Sequence, residues 1–144
     1  MRERQALIMG IQRLLGTASF FLMQIENGSL YRSSLALSTD MTVNDIYVAT
    51  IKRSAQEIYD FFHALTLEKL AEIDLIDAVL YARQGMKELL GGVSYYEFQE
   101  GKPVNQSFAQ FRMVKNLIDR SLEEMEMNDR SILDAAKGEL PIPQ

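Results

Sequence analysis

The chain has 144 residues, 47% of them hydrophobic and 24% charged, with a net charge of −5, one histidine and neither cysteine nor tryptophan. That length suits one domain able to bury a core without a metal or disulfide staple. Without cysteine there is no disulfide, thiolate ligand or thiol nucleophile, and with His63 as the only histidine every site needing two imidazoles is excluded.

The charge is uneven. Residues 1–64 hold six basic and six acidic residues, whereas residues 65–144 hold nine basic and fourteen acidic. Beyond Lys52-Arg53 no Lys/Arg cluster exists. Nucleic-acid affinity rests on clustered cations that neutralise phosphates, so direct DNA or RNA binding is not expected. The N-terminal residues lack the continuous apolar run of a signal peptide. The longest uncharged stretch there, residues 14–25, is twelve residues between Arg13 and Glu26, too short for a membrane span. A cytoplasmic protein is expected.

The first segment, about Glu3 to Asn27, carries Leu7, Ile8, Ile11, Leu14, Leu15, Ala18, Phe21, Leu22 and Ile25 at helical spacing. Gly10 and Gly16 interrupt it, as a bend or as sites of close approach. Asn27-Gly28 is a stop signal. Residues 29–41 are polar and small, interrupted by Leu30, Tyr31, Leu35 and Leu37, and read either as a short helix or as an ordered loop.

Thr42 followed by Asp45 resembles a capping box and opens a second helix. Its apolar face contains Ile46, Tyr47, Ile51, Ile58, Phe61, Phe62 and Leu65. Thr66 caps a third helix with Leu67, Leu70, Ile73, Ile76, Val79, Leu80, Met86 and Leu89 on its face, ended by Gly91-Gly92. Residues 93–105 read as an extended loop or short hairpin, with a turn at Glu100-Gly101-Lys102-Pro103. A fourth helix begins near Asn105 and carries Phe108, Phe111, Val114, Ile118, Leu122, Met125, Ile132, Leu133 and Ala136 up to Gly138. Met125 and Met127 cannot face the same way. Residues 139–144, with two prolines, form a loose tail.

The pattern predicts an all-α, up-and-down bundle of four main helices over residues 1–138, with a short irregular or hairpin-like insertion before the last helix. No motif ties this outline to one family.

Three sites merit weighing. The triplet His63-Ala64-Leu65 resembles the first three positions of the His-x-Leu-Lys-Gly pattern of histidine phosphotransfer domains. That resemblance implies a bundle whose histidine attacks an aspartyl phosphate. Thr66 stands in the lysine's place and Leu67 in the glycine's, and His63 falls at a helix end instead of mid-helix. Second, Glu57, Asp60, Glu68, Glu72, Asp74 and Asp77 offer carboxylates for a hard cation. Glu123-Glu124-Met125-Glu126 is similar to part of the Glu-Glu-x-x-Glu motif of magnesium-dependent all-α nucleotide pyrophosphatases, but misses its third position. A solvated helix face is the expected reading of these acids, and no catalytic residue, metal site or cofactor is assigned.

The third set is apolar. Tyr95, Tyr96 and Phe98 lie in the irregular insertion, either as interface anchors or as a lid on the bundle's end. Phe20 beside Phe21, and Met127 in the last helix, exceed what one core-facing stripe needs. Surplus apolar surface points to a protein partner or a homodimer. The sequence therefore reads as a non-enzymatic interaction protein, an adaptor, chaperone or regulatory subunit. A phosphotransfer protein using His63 and a carboxylate-metal nucleotide hydrolase stand as alternatives.

Overall fold

A computed structural model describes residues 2–35 and 43–138, with side chains for residues 2–33 and 44–127. The fold is all-α, with six helices and one small hairpin among the described residues. The four long helices are α1 (Arg2–Glu26), α3 (Val43–His63), α5 (Ile76–Gly92) and α6 (Gln106–Gly138). Two short ones, α2 (Ser29–Leu35) and α4 (Leu67–Glu72), serve as connections. The expected Thr42 cap, the core positions Ile132, Leu133 and Ala136, and the tail lie outside the described residues or side chains.

The long helices close into a ring, with α1 and α5 each packed on both α3 and α6. Their directions follow from cross-links. Arg83 of α5 reaches the C-terminal end of α3 at Phe62, and Ser121 of α6 donates its hydroxyl proton to the Ala78 carbonyl near the start of α5. Lys115 of α6 pairs with Glu26 at the end of α1 at 3.1 Å. The topology is thus up-down-up-down. The core runs along its axis through Ile11, Leu15, Leu22, Tyr47, Ile51, Phe62, Met86, Leu89, Phe111 and Ile118.

The break between α4 and α5 divides the single helix expected over 66–90. The Leu75 N–H donates to the Leu70 carbonyl and the Asp74 N–H to the Ala71 carbonyl, and Asp74 has φ of 56°. This pair of bonds around a left-handed residue is a Schellman ending with aspartate in the position glycine usually fills. Aspartate tolerates that conformation, but it gives a weaker signal in sequence. The corner then buries both Ile73 and Leu75.

At Asn27-Gly28 the expected stop is present. Gly28 is left-handed (φ 80°), and the Asn27 side-chain oxygen accepts from the Ser29 amide at 2.9 Å, starting α2. Residues 98–103 form a two-residue hairpin, Phe98–Gln99 paired antiparallel with Lys102–Pro103. Glu100 and Gly101 both have positive φ, the conformation that matches strand twist in the tightest hairpins. The turn therefore sits one residue earlier than its sequence placement. Gly91 and Gly92 complete the last turn of α5 in place of a left-handed stop, and a single 3-10 turn, Val93–Tyr95, follows.

Several positions assigned to core faces are exposed instead: Phe61, Leu67, Leu80 and Phe108. Successive helical residues are about 100° apart, so only one of Phe61 and Phe62 can face inward. Phe62 is the buried one. Met86 and Met125 are core residues, whereas Met113 and Met127 are exposed. Met125 and Met127, two residues apart on the last helix, do face different ways.

By length and composition, α1 is the one described helix long and apolar enough to cross a membrane, with mean hydropathy 1.5 over its best 18 residues. Counting uninterrupted runs misses this, because Arg13 is the only charge between Arg4 and Glu26. About a third of that window is buried in the bundle.

Candidate functional site

The most distinctive surface lies along α1 and its seam with α3. Residues Ile8, Ile11, Leu15, Ala18, Leu22 and Ile25 form the inward stripe of α1. On the opposite face Met9, Phe20 and Met23 are exposed, with Gly16 between them. These positions are also separated by helical intervals, so α1 has apolar residues on two faces. Phe20 is 55% exposed, and Phe61 on α3, at 65%, stands across the seam.

The seam itself is incompletely filled. An open cavity of about 390 Å³ lies between Leu7, Gly10 and Leu14 of α1 and Phe61 and Leu65 beyond. A smaller one, about 210 Å³, continues the groove between Thr17, Phe20 and Gln24 of α1 and Ser54 and Glu57 of α3. Gly10 and Gly16 have no atom within 4 Å of where a side chain would begin. Neither glycine marks a close approach inside the fold. That role belongs to Gly85, whose added carbon would meet Ile118, Leu117 and the Val114 carbonyl at 3.3–3.4 Å.

The aromatic residues of the insertion divide between two environments. Phe98 and Tyr96 are half-buried and packed against the core. The Phe98 ring stands edge-on to Tyr47 at 5.0 Å, and Tyr47 stands edge-on to Tyr31 at 5.2 Å. The Tyr47 hydroxyl donates to the Gly101 carbonyl at 2.7 Å. Burial, aided by the neighbouring Tyr31, holds the Tyr47 phenol protonated far above its ordinary range. Burial, with a smaller contribution from Glu88, pushes Tyr96 up to about 12. Tyr95 alone points outward, 86% exposed. Met127, 63% exposed, is on α6.

His63 is the last residue of α3, exposed, with its ring stacked on Tyr59 at 5.5 Å. Arg83, which the sequence did not single out, closes this helix end. Its guanidinium donates to the Phe62, His63 and Leu65 carbonyls at 2.9, 3.4 and 2.6 Å. Phe62 and His63 are the last residues of α3, so their carbonyls find no N–H inside the helix, although Phe62 also accepts from the Leu65 N–H at 3.2 Å, and a cation there complements the helix dipole. Of the acidic residues weighed above, Glu57 lies on the α1–α3 groove and Glu72 beside the α1 N-terminus, while Asp60 accepts from Gln56. Among the described residues, no group of three or more histidine or acidic side chains is placed to hold a metal ion.

No family model, curated protein or solved structure matches this chain.

Met9, Met23 and Phe61 were missed in the sequence. The signal was there in α1, where a second apolar row recurs at intervals of three, four and seven on the side away from the core. In α3 it was the Phe61-Phe62 doublet, the counterpart of Phe20-Phe21.

Proposed function

We propose that this protein is a non-enzymatic helical interaction protein, an adaptor, chaperone or regulatory subunit, that engages a protein partner through the α1–α3 face. One observation carries the proposal: the exposed rings of Phe61 and Phe20 line the open groove between α1 and α3, and α1 carries two further exposed apolar side chains, Met9 and Met23. Large apolar side chains around a concave, mainly apolar floor are the usual anchor points of protein interfaces. Methionine adds adaptability, since its unbranched side chain repacks against differing surfaces. Tyr95 at the hairpin end and Met127 on α6 offer further contacts, while Tyr96 and Phe98 hold the insertion in place.

Site-specific photocrosslinking in the native host tests this. A photoreactive phenylalanine analogue at Phe61 should give discrete protein adducts, and the same group at Gln84, exposed on α5, should not. Adducts that are absent from Phe61, or equally abundant at both positions, would remove the basis for the reading.

A further inference from the structure

The groove side of α1 presents Ala6, Gly10, Arg13, Thr17, Phe20 and Gln24, all but the half-buried Gln24 exposed. Their intervals are four, three, four, three and four, the spacing of a seam that packs against another helix. This row has a further property. Read against a reversed copy of itself about the level of Leu15, it sets Phe20 against Gly10, Thr17 against Arg13 and Gln24 against Ala6. The largest side chain meets the position with none.

We propose that the occupant of the groove is a second copy of this chain, docked through an antiparallel α1–α1 pair. The inference rests on the reading of the α1–α3 face as an interaction surface and names what covers it. In such a pair Phe20 of one copy passes over Gly10 of the other, where the space is open. Beneath lies the apolar cavity of about 390 Å³ bordered by Phe61 and Leu65. Met9, adjacent to Gly10, flanks the incoming ring, a favourable sulfur–aromatic neighbour. The two-fold axis repeats the insertion, so each copy supplies one ring and receives one, as an isologous interface requires.

Charge supports the same register. Arg13 is the one charged residue of the seam, and across the axis it meets Thr17 of the other copy. Thr17 borders the smaller cavity together with Glu57. The guanidinium of each copy thus arrives beside the other's carboxylate. Along the axis the two Arg13 positions are only about 6 Å apart, four residues at the helical rise. Their repulsion makes Glu57 necessary to this geometry. Neither side chain is in an ion pair within the chain, among the described residues.

Sedimentation velocity on the full chain tests the proposal. The wild type should be a dimer at ~100 µM and dissociate on dilution, as a micromolar interface would. Gly10→Leu fills the receiving space without disturbing the monomer. It should keep the helical circular dichroism and weaken dimerisation by more than about tenfold. Arg13→Glu and Glu57→Arg should each weaken it comparably, and the double swap should restore it to within about threefold of wild type. A wild-type monomer at ~100 µM, a Gly10→Leu chain that dimerises normally, or a double swap without restoration would overturn the proposal. A photoreactive group at Phe20 separates this failure from that of the broader reading. Adducts of twice the chain mass, attached near Gly10, support the dimer. Adducts with other proteins alone overturn the dimer and leave the interaction face standing.

Discussion

The two ends of α3 are finished in opposite ways. At its N-terminal end, Tyr47 sits in a closed aromatic cluster, hydrogen-bonded to the hairpin and met edge-on by Tyr31 and Phe98. Toward its C-terminal end, Phe61 stands in solvent beside a groove that α1 does not fill. The same helix supplies an aromatic ring to each. The difference lies in what the neighbouring segment brings: the hairpin delivers a carbonyl and a ring to Tyr47, whereas α1 brings Gly10 to the cavity beside Phe61. A protein that closes one end so fully has the means to close the other. The open seam therefore reads as a surface kept for an interaction.

The sharpest way to break this contrast is at Gly101. Its φ is 80°, and an added carbon would come within 2.1 Å of the Tyr31 side chain. Gly101→Ala is therefore expected to cost roughly 3 kcal/mol or more, combining left-handed strain with overpacking. Urea unfolding would show it, with a lowered midpoint and an unchanged slope.

Arg83→Met comes next. It keeps the stem of the side chain and removes the donors to three carbonyls at the end of α3. A loss of about 2 kcal/mol is expected, since the bonds to Phe62 and Leu65 are partly buried. Amide exchange should accelerate over residues 60–65 more than over α6. If exchange rises uniformly, the residue acts on the whole fold instead of on the helix end.

Tyr47→Phe removes one hydroxyl and leaves the Gly101 carbonyl without its donor, a loss of about 1–2 kcal/mol. Alkaline titration addresses the same region. Tyr96 moves from an ordinary 10.0 to about 12 in the folded chain. Its folded form binds the proton more tightly than the unfolded form. Its contribution is therefore complete below pH 10 and is lost progressively as pH rises from there through about 12. Tyr47, raised in the same direction, adds to the loss. The Tyr96→Phe variant should show a shallower fall in stability above pH 10 than the wild type.

The helical class, the stop at Gly28 and, as one of two readings, the hairpin before α6 were legible in the sequence, as were the long helices apart from the division of the third. Each rests on a strong local signal: three-and-four spacing, a glycine that accepts positive φ, or a Glu-Gly turn between short extended runs. The break at Asp74 was not legible, because a left-handed aspartate between two apolar residues continues a helical pattern on paper. The α1–α3 face was half legible. Phe20 stood out as surplus, but Phe61 was absorbed into a core stripe because adjacent phenylalanines blur the register. Arg83 carried no signal at all, since its partners are backbone carbonyls brought close only by the turn after α3.

The smallest expected effects on folding are at the open seam, and that is what distinguishes it from the hairpin end. Phe61→Ser replaces a ring that is 65% exposed, so stability should stay within about 0.5 kcal/mol of wild type. Gly16→Ala meets open space on an exposed helical face and should raise stability by roughly 0.5–1 kcal/mol through helix propensity alone. An apolar dye that binds the groove should lose affinity in Phe61→Ser and retain it in Tyr47→Phe. A residue that matters to binding and not to folding is the signature expected of an interaction face. If Phe61→Ser instead unfolds the chain, the ring belongs to the core and the seam is closed in solution. If the variant leaves both stability and dye binding untouched, the groove is not the apolar surface that the dye recognises.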